Sequence, residues 1–107
     1  MKGDRLRGHL DALVLGALAD GPAHGYQVIV RLRDSSDGEF DLAEGTVYPV
    51  LHRLADHGYL SVRAVDVQGR QRKVYALTAS GRRELTEERA RWQAFSGLVN
   101  RVLGAHP

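Results

Sequence analysis

Residues 45–54, GTVYPVLHRL, predict a short helix with two chemically different faces. Its larger apolar residues recur at helical spacing and form one stripe: Val47, Val50, Leu51 and Leu54. At about 100° per residue, Gly45, Pro49 and His52 lie on the opposite side of the helix. A helix that only covers a core usually presents Lys and Glu to water, whereas this outer face is small at its N-terminal end and polar toward its middle. The stretch therefore predicts a helix that packs on a core and approaches another surface closely.

Helical periodicity and turn residues predict two helices before this one. The three helices are predicted over residues 5–19, 24–35 and 44–57. Phe40 and Leu42 are expected in a brief extended piece, and Gly58 is expected to cap the third helix. Pro49 is expected near the end of the first turn of that helix, where its missing N–H costs little.

Alternation of apolar and polar residues then predicts a β-hairpin, with strands at 59–67 and 71–77 and a turn at 68–70. Thr78 is a good N-cap for a last helix over 79–103. The predicted fold is mainly α with a small β-hairpin wing: a winged helix-turn-helix domain at 1–78, with a long C-terminal dimerisation helix at 79–107 packed as one unit with it. In such domains the third helix enters the major groove of DNA.

Composition sets few limits on the partner. The 107 residues suffice for one domain, and the absence of cysteine excludes disulfides and thiolate metal sites. No apolar run is long enough to span a bilayer, and the N-terminus has no signal-peptide pattern, so we expect a cytoplasmic protein without a membrane partner. The net charge of +2 permits a nucleic-acid partner without requiring one, so the distribution of charge matters more than its sum.

The tip and return strand of the hairpin carry three cations within four residues: Arg70, Arg72 and Lys73. These charges repel one another unless a polyanion lies nearby. A solvated loop would explain them equally well if the cluster stood alone. Its position directly after the two-faced helix favours a wing that follows the sugar–phosphate backbone of DNA.

Several segments together resemble the PadR family of transcriptional regulators, and in particular its short subgroup. The matching segments are His24-Gly25-Tyr26, residues 45–54, Gly58-Tyr59-Leu60, residues 69–75 and residues 77–81. The resemblance runs from about Leu6 to the C-terminus. It implies a winged helix-turn-helix with a C-terminal helix that mediates homodimerisation. It also implies binding to palindromic double-stranded promoter DNA, most often as a repressor released by a small-molecule effector. We expect no cofactor.

The resemblance also implies which residues contact DNA. Tyr26 matches the family's phosphate contact on the second helix, although a half-buried packing residue remains the alternative. Thr46, Tyr48 and Pro49 match its recognition-helix motif.

His52 and Arg53 are expected to change which sequence is read, because many members have a longer charged residue where His52 stands. Arg53 can pair bidentately with guanine, and its alternative is a salt bridge to Asp56 or Asp37. Ala43 stands where the family often has a capping Ser, so the start of the third helix is left undetermined.

The last helix carries a short heptad seam, in which Leu85, Trp92 and Val99 are seven residues apart, as are Phe95 and Val102. One small domain cannot cover a helix of this length, so the seam predicts a homodimer. Leu10 on the first helix is expected to join this interface. The resemblance further implies that Trp92 lines an effector pocket between subunits, with packing at the seam as the alternative.

Other functions have less support in the sequence. We expect no enzyme, because no glycine-rich phosphate loop, nucleophile elbow or recognisable acid pair is present. A histidine-based metal sensor is disfavoured, since His52 and His57 lie about 140° apart around one helix and cannot share an ion, and the remaining histidines are scattered. A winged helix used only for protein contacts remains an alternative, which the salt dependence of DNA binding would distinguish.

Overall fold

The computed structural model describes residues 8–104, which form four α-helices and a three-stranded antiparallel sheet. The helices are α1 (Leu10–Ala17), α2 (Gly25–Ser35), α3 (Glu44–Asp56) and α4 (Ala79–Leu103), and the strands are β1 (Ala23–His24), β2 (Leu60–Val67) and β3 (Arg70–Leu77). A single 3₁₀ turn, Leu18–Asp20, extends α1. The predicted fold, mainly helical with a small hairpin wing, is confirmed.

The predicted start of the first helix is wrong. Helix α1 begins at Leu10, after a turn at Gly8 and His9, and not at residue 5, which lies outside the described residues together with Leu6. Phe40 and Leu42 lie between α2 and α3 in a segment that belongs to no helix or strand, where Leu42 is buried in the core and Phe40 packs against it. The third strand of the sheet is instead β1, which pairs with β3 in the order β1-β3-β2.

Helices α1, α2 and α3 enclose one apolar core, and the base of the hairpin and the start of α4 close it. The largest fully buried side chains are Val14, Leu15, Leu18, Val28, Val47, Leu51 and Leu54. Each contributes roughly 1.5–3 kcal/mol through burial. The apolar stripe predicted for α3 is therefore its core face, which turns the opposite face outward.

Helix α3 begins at Glu44, after the N-cap residue Ala43, which supplies no capping side chain, and it ends in a Schellman motif. Gly58 has a φ of 81°, its N–H donates to the carbonyl of Ala55, and the N–H of Tyr59 donates to that of Leu54 over 2.9 Å. Pro49 is the sixth residue of the helix, so its expected place in the first turn is wrong. Because proline has no backbone N–H, the carbonyl of Gly45 receives no hydrogen bond from residue 49. Both residues are exposed to water.

The hairpin and α4 are joined by tight local chemistry. The turn has two residues rather than the three predicted, because Gln68 and Gly69 both adopt positive φ and β3 begins at Arg70. The hydroxyl of Thr78 accepts a hydrogen bond from the Gly81 N–H over 3.0 Å and donates one to the Gly58 carbonyl over 2.7 Å. Thr78 therefore caps α4 as predicted and ties its first turn to the end of α3.

Candidate nucleic-acid interface

The outer face of α3 is free of the core over its length. Pro49, His52 and Arg53 are exposed, while Thr46 and Tyr48 are half-buried on its two flanks. The Tyr48 ring packs on Gly25 at the start of α2, where a Cβ atom would lie 2.6 Å from Tyr48 Cε1. Burial first, and then the Glu44 carboxylate, raise the pKa of Tyr48, which keeps its hydroxyl protonated as a hydrogen-bond donor.

An open cleft of about 330 Å³ lies between the start of α2, the outer face of α3 and strand β3. It brings together five residues that the sequence predicts as DNA contacts: Tyr26, Tyr48, His52, Arg72 and Lys73. The other four lie outside its lining: Thr46, Pro49, Arg53 and Arg70. Tyr26 is about half exposed, so its hydroxyl is accessible. The cleft is therefore bordered by hydroxyls and cations from three separate elements.

Helix α2 opens into this cleft through a capping box that the sequence prediction missed. His24 Nδ1 accepts a hydrogen bond from the Gln27 N–H over 3.2 Å, and Gln27 Oε1 accepts one from the His24 N–H over 3.0 Å. A polar residue followed by Gln three positions later, ahead of an apolar run, is the signal that could have found it. The amides of Gly25 and Tyr26 remain at the positive end of the helix dipole, which suits an anion such as a phosphate.

The His24 cap should make the stability of the fold sensitive to acid. Nδ1 of His24 accepts the hydrogen bond from the Gln27 N–H only when it carries no proton. Burial first, and then the nearby Arg72 charge, lower the pKa of His24 from its ordinary 6.5. The unfolded chain thus takes up the proton first, so this stabilisation is complete above about pH 6.5 and is lost as pH falls through the lowered pKa. Urea unfolding across this pH range should show a smaller fall in the free energy of unfolding for His24→Asn than for the wild type, because Asn caps the helix without titrating.

His24→Ala is the matched control for this prediction. It lacks the cap at every pH and should cost about 1 kcal/mol at neutral pH, with less further loss in acid. An acid loss in His24→Asn as large as that of the wild type would contradict the role of His24.

The register of the hairpin separates the basic residues of the wing. Arg72 stands opposite Val65 and Arg63 opposite Val74, which puts Arg63, Arg70 and Arg72 on one face of the sheet. Lys73 pairs with Ala64 and belongs to the other face, with Tyr75. The tip therefore carries positive charge on both faces of the sheet, although Arg72 and Lys73 both line the cleft.

Arg53 lies on the flank of α3 that faces α1, where its guanidinium forms an ion pair with Asp11. The salt-bridge partners expected from the sequence, Asp56 and Asp37, are wrong. Asp11 lies 42 residues away along the chain, and no sequence signal joins it to Arg53. Both side chains remain about half exposed, with relative accessibilities of 48% for Arg53 and 46% for Asp11.

A second open cleft, of about 630 Å³, lies between α1 and α4 and is mainly apolar. Trp92 lies in its lining, edge-on to the ring of His9 with 5.3 Å between ring centroids and beside Phe95 at 6.1 Å. Leu85 belongs to the lining as well, but it is buried in the core of the domain.

The seam predicted along α4 is only partly available to a partner. Trp92, Phe95 and Val102 are 53%, 55% and 86% exposed, and Val99 is half-buried. Leu10 and Leu85 are buried in the core of the single chain, and Leu85 also lines the cleft between α1 and α4, so their predicted place at a dimer interface or effector pocket stays a prediction. The apolar face of α1 packs against α3 and α4 in the single chain.

Within residues 8–104, no group of three or more His, Asp or Glu side chains is placed to hold a metal ion. No helix in this same part of the chain combines the length and apolar character needed to cross a membrane.

Comparison with known proteins agrees on one family. Residues 14–87 match the model of the transcriptional regulator PadR-like family. A transcriptional regulator of Mycobacterium tuberculosis is 38% identical over 91 residues, which is 85% of this chain and 79% of the relative. The negative transcriptional regulator PadR of Bacillus subtilis is 30% identical over 88 residues, 80% of this chain but 48% of that protein. The crystal structure of a PadR family regulator from Eggerthella lenta has a TM-score of 0.80 at 30% identity, covering 96% of this chain and 88% of that one.

Proposed function

This chain belongs to the transcriptional regulator PadR-like family, and from that premise we propose that it is a sequence-specific repressor that binds an inverted-repeat operator as a homodimer. The observation that carries the proposal is the convergence of the outer face of α3, the start of α2 and the return strand of the wing on one cleft. Hydroxyls, helix amides and cations on one surface suit the phosphates of a duplex. DNA binding would place the protein in the cytoplasm.

The contacts divide by chemistry. Tyr26, Thr46 and Tyr48 are proposed to donate hydroxyl hydrogen bonds to phosphates, as the amides at the start of α2 do. Arg70, Arg72 and Lys73 follow the backbone into the neighbouring groove. Pro49, His52 and Arg53 are the exposed residues of α3 that reach base edges in the major groove.

A second copy of the chain is the proposed cover for α4. Trp92, Phe95, Leu98, Val102 and Leu103 are all at least half exposed in the single chain, although they are large and apolar. Apolar side chains clustered along one helix mark a contact surface. The negative transcriptional regulator of Bacillus subtilis supports repression as the mode of action.

The cleft between α1 and α4 is the proposed effector site. Its volume of about 630 Å³ falls within the range of small-molecule pockets, and its aromatic lining suits an apolar ligand. Trp92 would contact that ligand, with simple packing at the dimer seam as the competing role.

Selection of bound sequences from random DNA tests this function directly. We expect enrichment of an inverted repeat, because a two-fold dimer presents two identical reading helices. The half-site centres should lie about 10 base pairs, or a multiple, apart. A pool that shows no enrichment at low salt would reject the proposal and favour a winged helix used for protein contacts.

Replacing Arg70, Arg72 and Lys73 with Ala should weaken binding to every DNA sequence, because backbone contacts carry no sequence information. Each lost phosphate contact should flatten the plot of log affinity against log salt by about 0.9. Titration of the selected DNA over a salt series measures both effects.

Arg82, Arg83 and Arg101 provide the matched control, since replacing these exposed residues of α4 with Ala removes the same charge away from the wing. The control should keep the salt slope of the wild type. Equal salt slopes for the wild type, the wing variant and the control would show that the wing does not contact DNA.

A further inference from the structure

Asp11 forms an ion pair with Arg53, the side chain of α3 best suited to read guanine. We propose that Asp11 is a positioning residue of the DNA interface, which holds the guanidinium of Arg53 in an ion pair that only a well-matched base pair displaces. This inference rests on the proposed function, because it concerns how the same interface selects its sequence.

The geometry places the pair at the border of the reading surface. Arg53 and Thr46 lie on the flank of α3 toward α1, whereas Tyr48 lies on the flank toward α2. Asp11 belongs to the first turn of α1, next to the core residue Leu10 and the cleft residue Ala12, so its carboxylate is carried by a packed helix. Both partners are about half exposed, so an approaching duplex can reach them.

The chemistry makes the pair a competitor for DNA. A guanidinium reads guanine through two parallel N–H donors, to O6 and N7. In the free protein one of these nitrogens, Nη2 of Arg53, is bonded to the Asp11 carboxylate. Breaking the Arg53–Asp11 bond is favourable where guanine offers two well-aligned acceptors in its place. It is much less favourable where a single phosphate oxygen is the only new acceptor.

The exposure of the Arg53–Asp11 pair indicates that it contributes little to folding stability. Ion pairs between exposed side chains contribute little to folding stability, because water screens them. The larger consequence is on charge at the reading surface, where Asp11 neutralises a cation that would otherwise attract any phosphate. The pair thus lowers affinity for random DNA more than affinity for the operator, which widens the difference between the two.

Asp11→Asn tests this role, since it keeps the size of the side chain and removes the ion pair. We expect roughly two- to fivefold tighter binding to random-sequence DNA and a smaller gain on the selected operator. The plot of log affinity for random DNA against log salt should steepen by about 0.9, the value of one phosphate contact. Asp11→Glu, which keeps a carboxylate, should stay close to the wild type.

The same substitution in an Arg53→Ala background separates the proposal from simple charge removal. If Asp11 acts through Arg53, Asp11→Asn should change neither the affinity for random DNA nor the preference for the operator in that background. An equal gain in both backgrounds would overturn the proposal in favour of general repulsion between Asp11 and DNA. Loss of affinity for both DNAs would overturn it in favour of a strut that holds α3 in place.

These outcomes differ from failure of the proposed function. A wild-type protein that enriches no sequence and binds no duplex at low salt would reject both proposals. A wild-type protein that selects an inverted repeat, with a discrimination ratio unchanged by Asp11→Asn, would reject the role of Asp11 alone. Thermal unfolding of each variant confirms that the compared proteins are folded.

Discussion

Trp92→Ala combined with Phe95→Ala is expected to give a monomer that has lost most of its affinity for the operator. Both rings are more than half exposed in the single chain, at 53% and 55%, so a partner is the cover that their size requires. A monomer holds one half-site, and the second half-site no longer binds intramolecularly. We expect affinity to fall by roughly 10²- to 10⁴-fold, measured by DNA titration beside sedimentation of the free protein.

The opposite face of α4 supplies the control. Gln93 and Arg101 are exposed and point away from the seam, so replacing both with Ala should leave assembly and operator binding intact. A Trp92→Ala/Phe95→Ala protein that still sediments as a dimer and binds the full operator normally would show that the subunits meet elsewhere.

Gly81→Ala is expected to destabilise the fold by about 3 kcal/mol or to prevent folding altogether. A Cβ at this position would lie 2.0 Å from the backbone oxygen of Tyr59 and 3.2 Å from Leu77 Cδ2. The backbone oxygen cannot move aside alone, because it accepts a hydrogen bond from the Thr78 N–H. Urea unfolding measures the loss, since the first turn of α4 must separate from the hairpin to make room.

Gly97→Ala on the same helix isolates this steric effect. A Cβ at Gly97 meets nothing within 4 Å, and the residue faces away from the seam, so the change should stabilise the helix by up to about 1 kcal/mol. If Gly81→Ala proved as stable as Gly97→Ala, the close packing of α4 on Tyr59 would be refuted.

The bounds of the last helix and the end of α3 could be predicted from the sequence because local chemistry sets them. The last helix spans the predicted residues 79–103, since Thr78 supplies a capping hydroxyl and a helical pattern follows without a breaker. The C-terminal end of α3 was predictable to one residue because Gly58 adopts the left-handed conformation that ends helices. The two faces of α3 also follow from spacing alone, because a helix turns by a constant angle.

Contacts between distant segments were beyond the reach of such patterns. Strand β1 is two residues long and exists because β3 lies beside it, so no periodicity reveals it. Leu10 and Leu85 have the same apolar chemistry as Trp92 and Phe95, and only the crossing of α1 and α4 decides which are buried in one chain.

The sequence by itself determined the four helices, the hairpin and the two faces of α3, all of which depend on neighbours within a few turns of the chain. Tertiary structure alone decided that Asp11 holds Arg53 and that Gly25 makes room for Tyr48. Such pairings depend on the angles and registers at which packed elements cross. Those geometries arise from the whole core at once, so no single segment encodes them.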